Sequence, residues 1–290
     1  MAARCIVLDF DGTFTHVDAE AQSYTPLYRE HLGWLLGAHD AAASSAFLAE
    51  WEAVDREMDA QPSLHGWKDG AGRIVAPAYA DPYVKSRAIS EQLLDRRALF
   101  QAPRERLAVL DYLFRLGRRA VLPHFRPEAA EAVEALAATG ARLFVVTNSG
   151  TEDVRQKIAE NLRGAARHLD VRGDAKKYVL CESGEPWAGP VQVAAQQRVE
   201  GLERPVFLHR PRYLEVLRGI WAETGTTPEQ TLVCGDIYEL DLALPAALGA
   251  TVRLITRPNT PAFEKGAVAA LPRGQVVDAL TELVDVARAA

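Results

Sequence analysis

Four aspartates and the residues beside them carry most of the chemistry legible in this sequence. Two stand in Asp9-Phe10-Asp11-Gly12-Thr13, where the apolar run Cys5-Ile6-Val7-Leu8 gives out into a glycine-containing turn. Alternate residues of an extended chain point to opposite faces, but a turn after Phe10 can bring both carboxylates to one pocket. Carboxylates that close repel one another unless a cation or a shared proton compensates, so the pair points to Mg²⁺ binding or to acid/base work. Carboxylate and carbonyl oxygens are the hard ligands Mg²⁺ prefers, and a carboxylate can also attack phosphorus. The bland reading is a pair of solvated capping carboxylates, which the apolar run before them makes less apt. Asp236 and Asp241 follow a second apolar run, in Leu232-Val233-Cys234-Gly235-Asp236-Ile237-Tyr238-Glu239-Leu240-Asp241. Alone they would pass for a turn former and a helix-terminal charge. A third run empties into Thr147-Asn148-Ser149-Gly150, and hydroxyls followed by helix N-terminal amides hold phosphoryl oxygens well. Helix capping by Asn148 or Ser149 is the alternative there. Coincidence is a poor account of three strand ends with matching chemistry.

Such ends need a scaffold. Cys5 to Leu8, Leu143 to Val146 and Leu232 to Cys234 read as buried parallel strands, and a further strand is expected near 169–172. Pro127 to Ala138, closed by Gly140, reads as a helix with proline in its first turn and glycine at its C-terminal end; another is expected over about 151–162. Alternating strands and helices predict an α/β fold, a parallel sheet covered on both faces with ligands beyond the carboxyl ends of its strands. From about 16 to 122 helical spacing takes over and no alternating strand is evident. Thr25-Pro26 reads as a cap and first-turn proline, with Leu27, His31, Leu32 and Leu35 on one face until Gly37. Phe47, Trp51, Val54 and Met58 mark a stronger helix, and Leu107, Leu110 and Phe114 a further stripe. Gln61 to Pro82, punctuated by Pro62, Gly66, Gly70, Gly72 and Pro77, reads as an ordered loop. The expected organisation is an α/β domain from 1–15 and 123–290, with 16–122 as a helical insertion.

Composition narrows the classes. The chain has 290 residues, 48% hydrophobic and 25% charged, ordinary values for a globular protein of one large or two moderate domains. Its 33 Lys and Arg against 39 Asp and Glu give a net charge of −6, which argues against a nucleic-acid partner while leaving room for a local basic pocket. Cys5, Cys181 and Cys234 are odd in number, and two lie in apolar runs, as buried free thiols in a reducing compartment do. The apolar run before Asp9 is too short for a signal sequence, and Leu242 to Ile255 is interrupted by Pro245, Gly249 and Arg253, so neither export nor a membrane partner is expected. The expected location is cytoplasmic.

In order and context, Asp9 to Thr13, Thr147, and Asp236 with Asp241 resemble the signature of the haloacid dehalogenase-like (HAD) superfamily. That signature is Asp-x-Asp-Gly-Thr, a strand-end Thr or Ser, a Lys, then Gly-Asp with a trailing Asp. The resemblance covers 1–15 and 123–290 and implies a doubly wound, Rossmannoid parallel sheet. Residues 16–122 are then similar to the helical cap that many members insert between the first two motifs and that closes over the substrate. What the resemblance implies is a Mg²⁺-dependent phosphohydrolase acting on a small phosphorylated metabolite, with Asp9 as nucleophile forming an aspartyl-phosphate and Asp11 as general acid and base. Asp9, the Asp11 main-chain carbonyl and Asp236 would hold Mg²⁺, and Asp241 would orient the lysine or the metal's waters. Thr147 and a lysine would bind phosphoryl oxygens, with Gly12, Thr13, Asn148 and Ser149 at the substrate.

The lysine departs from the pattern. The position before a late helix, often Lys-Pro in the family, reads Arg210-Pro211-Arg212-Tyr213. Asp174-Ala175-Lys176-Lys177 is similar instead to the Asp-Ala-Arg-Lys motif of cytosolic purine nucleotidases, which favours Lys177 over Lys176 and Arg210. Dehalogenases of the superfamily lack the second aspartate, and phosphonate-cleaving relatives have a small residue in its place. A phosphomutase or other phosphotransferase would use the same aspartates, and a non-catalytic binding module is the alternative of another class. Trp67, Lys68, Tyr79, Tyr83, Lys85 and Arg87 are candidates to stack on or pair with a substrate. Trp34, Trp51 and Trp67 suit either the core of the insertion or an interface, so monomer and homodimer are both compatible.

Overall fold

The computed structural model describes residues 3–119, 121–182 and 184–289, in two compact units, 1–16 with 125–290, and 17–124. The chain enters through strand β1 (Cys5–Leu8) and leaves the first unit after a short bridge between Thr15 and Phe125.

The unit 17–124 is built on four helices, α1 (Val17–Leu35), α2 (Ala41–Ala60), α3 (Pro82–Arg96) and α4 (Pro103–Arg118). Helix α1 begins well before Thr25 and runs through Pro26, so the capping role read for Thr25-Pro26 is wrong. Its buried face is Val17, Tyr24, Tyr28 and Leu32, and the packing of those side chains outweighs the one hydrogen bond a mid-helix proline forfeits. The rings of Tyr24 and Tyr83 meet edge-on with centroids 4.5 Å apart. The α2 stripe Phe47, Trp51, Val54 and Met58 is buried as its spacing predicts. In α4 the buried residues are Leu110, Leu113 and Gly117, whereas Leu107 and Phe114 are exposed. Gly117 lets α4 approach α1, since a Cβ there would lie 2.6 Å from Tyr24 Cε2.

The segment read as a loop contains a small antiparallel hairpin, β2 (Gly66–Lys68) and β3 (Ile74–Pro77). Asp69 closes its turn, accepting from the Ala71 and Arg73 amides and from Arg73 Nε. Strands this short give no readable alternation, which is why the sequence concealed them. Most of the side chains suggested for substrate contact are engaged within this unit. The Tyr83 hydroxyl donates to buried Glu20 at 2.7 Å, Lys85 pairs with Asp55 and Asp59, and Arg87 pairs with Glu91 and lies 4.5 Å over the Trp67 ring. Trp51 is in the core and Trp34 is exposed.

The other unit continues through α5 (Ala129–Ala137), β4 (Arg142–Val146), α6 (Thr151–Leu162) and β5 (Leu169–Arg172). Beyond a two-residue pairing of β6 (Gln196–Gln197) with β7 (Val206–Phe207) come α7 (Pro211–Thr224), β8 (Thr231–Gly235) and α8 (Ala243–Ala247). Strands β9 (Thr251–Ile255) and β10 (Gly274–Val277) alternate with α9 (Ala262–Ala269) and α10 (Leu283–Ala289) to the end. One six-stranded sheet, in the order β10-β9-β8-β1-β4-β5, pairs in parallel throughout. Strict alternation covers both faces: Ile6, Leu8, Leu143 and Val145 pack with Val133, Leu136 and Ile158, whereas Cys5, Val7, Phe144 and Val146 pack with Leu214, Leu217 and Ile220. This is the doubly wound α/β fold.

Strand β1 sits where the winding reverses, between β4 and β8, with Leu8 level with both Val145 and Cys234. Crevices at such reversals are where open α/β sheets bind ligands. All four β1 residues are at most 1% exposed, and at about 1.5–3 kcal/mol per buried side chain they anchor the strand firmly enough to hold a carboxylate at its end out of water. Among the described residues no helix is long and apolar enough to cross a membrane.

Candidate active site

Asp9 is the first residue past β1, and its amide donates to the Cys234 carbonyl at 2.9 Å, which locks it beside β8. The turn that follows requires Gly12, which has φ 82° and would, with a Cβ, place that atom 2.0 Å from Asp236 Oδ2. Arg126 fastens the same turn by donating from Nη2 to the carbonyls of Gly12 and Thr256 at 3.2 and 3.1 Å. Thr13 is fully buried. Gly12 and Thr13 thus lie within the turn itself, Gly12 beside Asp236.

The second strand end is stitched to the first. Ser149 Oγ donates to Asp11 Oδ2 at 2.7 Å, and Thr147 Oγ1 accepts from the Ser149 amide at 3.1 Å. The loop after β5 is sewn onto this one: the Asp174 amide donates to the Ser149 carbonyl, the Ala175 amide to the Thr147 carbonyl, and the Lys177 amide to Asn148 Oδ1. Asp174 and Lys176 take positive φ values of 52° and 46°, and between those left-handed residues the side chains alternate, Ala175 and Lys177 inward, Asp174 and Lys176 outward. Gly173 is needed here, because a Cβ would lie 2.4 Å from the Thr151 amide nitrogen.

Lys177 is the centre of the arrangement. At 1% exposure its Nζ donates to Asp9 Oδ1 at 2.6 Å and to Asp241 Oδ1 at 2.8 Å. Asp241 comes from a single π-helical turn, Tyr238–Leu242, a feature frequent at functional sites. Its other oxygen accepts from the Ile237 amide at 3.1 Å, and Tyr213 Oη donates to its carbonyl at 2.9 Å. Gly235 leaves room for this carboxylate, since a Cβ there would lie 2.4 Å from Asp241 Cβ. Burial opposes the Lys177 ammonium, but Asp241 and Asp9 outweigh it and push its pKa up. Burial raises Asp9 above the ordinary carboxylate range; Lys177 draws it down, and Asp241 and Asp11 push it further up.

Of the other two candidate cations, Arg210 is enclosed by protein partners and Lys176 is exposed. The Arg210 guanidinium is fully buried; it donates to the Lys177 carbonyl at 2.6 Å and the Phe207 carbonyl at 3.0 Å, and lies 3.5 Å from Glu239. Glu239 also receives both terminal nitrogens of Arg204, at 3.0 and 2.7 Å. Arg210→Ala is accordingly expected to destabilise the fold by about 2–5 kcal/mol, as loss of a buried hydrogen-bonded charge does. Urea unfolding checks this; an unchanged midpoint together with a raised KM would return Arg210 to the substrate.

Sequence reasoning missed Arg126, Glu239 and Arg257. Arg257 Nε lies 2.7 Å from Asp236 Oδ2, with both side chains 3% exposed. Its place just past an apolar strand was the available clue. Burial drives the Cys5 thiol up to about 12 and raises Cys234 as well, which disfavours the reactive thiolate at both.

Asp9, Asp236 and Asp241 offer carboxylate oxygens within 4.8 Å of one another. Buried hard-oxygen donors that need positive compensation fit Mg²⁺. Asp241 has both oxygens engaged, by Lys177 and the Ile237 amide, while Asp9 is held by Lys177 and Asp236 by Arg257.

Close by, Glu264 on α9 is 1% exposed, and burial raises its pKa to about 8. Arg257 draws it down, while Glu239 and Asp241 push it up. A carboxyl with a folded pKa above its unfolded one binds more protons in the native state between those values, so stability falls as pH rises from about 4.5 to about 8. Glu264→Gln is expected to flatten this slope, by a few kcal/mol at most over the window. Unfolding midpoints measured across it check the point, and identical slopes for wild type and variant would refute it.

The haloacid dehalogenase-like hydrolase profile matches residues 3–249. No curated protein sequence matches the chain. Solved structures resemble it at low identity. One is described as a predicted phosphoglycolate phosphatase from Haemophilus somnus, with TM-score 0.55 and 13% identity, covering 98% of this chain and 97% of that one. A haloacid dehalogenase-like family hydrolase from Xanthomonas campestris gives TM-score 0.51 and 14% identity over 99% and 96% of the chains. A haloacid dehalogenase-like hydrolase from Bacteroides fragilis gives 0.51 and 11% over 97% and 99%. With its ordered aspartates on a doubly wound sheet and a profile match over most of its length, the chain belongs to the haloacid dehalogenase-like hydrolase family.

Proposed function

We propose that the protein is a Mg²⁺-dependent phosphohydrolase that cleaves a small phosphomonoester through an aspartyl-phosphate on Asp9. The observation that carries this reading is the second aspartate: Asp11 is held by Ser149 Oγ at 2.7 Å, two residues from an Asp9 that is itself bound by Lys177. A dehalogenation site has no use for a leaving-group acid, whereas ester cleavage needs one.

Asp9 attacks phosphorus as the bond to the ester oxygen breaks, and Asp11 delivers its proton to that oxygen, releasing the alcohol. The Asp11 carboxylate then takes a proton from water as that water attacks the aspartyl-phosphate, and phosphate leaves with Asp9 restored. Lys177 keeps Asp9 in place and meets phosphoryl oxygens together with Thr147 and the amides at the start of α6. Asp9, the Asp11 carbonyl and Asp236 would hold the cation, which when bound supplies the charge that keeps Asp9 ionised beside an anionic phosphate. That matters because two like charges 4 Å apart cost about 4 kcal/mol at an effective dielectric of 20.

Phosphate release from p-nitrophenyl phosphate, with Mg²⁺ and with EDTA, tests this. Release is expected with Mg²⁺ alone, and Asp11→Asn should slow it by roughly 10²–10⁴-fold. Halide release from a 2-haloacid without phosphatase activity would overturn the reading, and phosphate reappearing on a second hydroxyl would make the protein a transferase.

A further inference from the structure

Asp11 stands in a tight turn, Phe10 to Phe14, where the amides of Thr13 and Phe14 both donate to the Phe10 carbonyl, at 3.3 and 2.9 Å. One distant residue grips this turn twice. The Arg126 amide donates to the Phe14 carbonyl at 2.8 Å, and its Nη2 donates at 3.2 Å to the carbonyl of Gly12, the residue after Asp11. The same guanidinium is anchored farther along the sheet, to the Thr256 carbonyl just past β9 at 3.1 Å and the Asp278 carbonyl just past β10 at 3.3 Å. At 6% exposure it is a buried cation, and burial draws its pKa down. These acceptors are main-chain carbonyls from three loops, so what the planar, many-donor group fixes is the course of the chain. On the other side of β1, in the loop after β4, Ser149 Oγ holds the Asp11 carboxylate at 2.7 Å. Asp11 is therefore held from both directions, by its side chain toward β4 and by its backbone toward β9 and β10.

We propose that Arg126 is a positioning residue that acts through Asp11, setting its carboxyl where it can protonate the leaving oxygen. This rests on the phosphohydrolase reading above, with Asp11 as the acid. Such an acid must lie within hydrogen-bond reach of the oxygen it protonates, and a displacement of about 1 Å can cost roughly 100-fold in rate. Ser149 fixes one oxygen of the carboxylate but not the backbone that carries it. That backbone is the weak point, because Gly12, with φ 82°, is free to rotate once its carbonyl is released. The guanidinium removes this freedom. Its loss should therefore be felt most by esters whose leaving groups depend most on the acid.

The test compares kcat/KM of the full chain with Mg²⁺ on phenyl phosphate and on p-nitrophenyl phosphate. Phenolate leaves poorly and p-nitrophenolate well, so weakened acid catalysis shows mainly on the first. Arg126→Met is expected to lower kcat/KM about tenfold more on phenyl phosphate than on p-nitrophenyl phosphate. Combined with Asp11→Asn it should add less than about twofold to the loss from Asp11→Asn alone, because residues that act as a unit are not additive. Equal losses on the two esters, or losses that multiply with Asp11→Asn, would leave Arg126 a purely structural residue and overturn the proposal. Should thermal unfolding show that Arg126→Met does not fold, Arg126→Lys carries the test. With one nitrogen in place of the fork, it is expected to lose several-fold more on phenyl phosphate than on p-nitrophenyl phosphate, and a wild-type ratio of the two would refute the role. Wild type that releases phosphate from neither ester, or Asp11→Asn that leaves their ratio unchanged, would instead overturn the phosphohydrolase reading, and the role of Arg126 with it.

Discussion

Lys177→Met should be the most damaging single substitution in the α/β unit, lowering stability by about 3–5 kcal/mol and abolishing turnover. The ammonium is the shared partner of Asp9 and Asp241, at 2.6 and 2.8 Å, and all three side chains are buried. Methionine fills the space but leaves two carboxylates facing each other out of water. Against a total stability of about 5–15 kcal/mol, this is a large fraction. Urea unfolding near neutral pH measures it, and adding Asp241→Asn to the variant should recover part of the loss by removing one of the opposed charges. A midpoint equal to that of wild type would mean that the pair contributes nothing. The same cluster also predicts the direction of recovery with pH: in the methionine variant, acid protonates the opposed carboxylates, so its deficit should shrink as pH falls.

Asp9→Asn is expected to do the reverse, leaving the fold intact while removing activity on the order of 10⁴-fold or more, as loss of a nucleophile does. The amide is nearly isosteric, and burial already raises Asp9 so that the neutral form costs little. Removing one of three clustered aspartates should hold or raise the melting temperature in the absence of metal. Rates on p-nitrophenyl phosphate with thermal unfolding of the same samples separate the two effects. Activity within tenfold of wild type would exclude Asp9 as the nucleophile; a large fall in melting temperature would mean that its charge, not only its shape, holds Lys177.

How much of this was legible beforehand depended on the range of the interactions involved. The strands ending at Asp9, Thr147 and Asp236 were readable because burial on both faces demands continuous apolar runs, and their order fixed the family resemblance. Lys177 was readable only through that resemblance, since paired lysines ordinarily face solvent; its inward turn depends on left-handed backbone at Asp174 and Lys176. Helix α1 was misplaced because local proline chemistry was weighed against tertiary packing it could not see. The short hairpin at Asp69 escaped because three- and four-residue strands carry no period.

Sequence alone determined the chemical inventory: which carboxylates and hydroxyls stand at strand ends, and that a parallel sheet must bring those ends to one side. Those are consequences of hydrophobic period and turn chemistry, which act over a few residues. The tertiary structure decided the pairings. It placed the Arg210 guanidinium on the Lys177 carbonyl, and set Arg257 against Asp236. Buried charges are placed by the low dielectric around them, where each must find a partner, and those partners stand tens of residues apart in the chain.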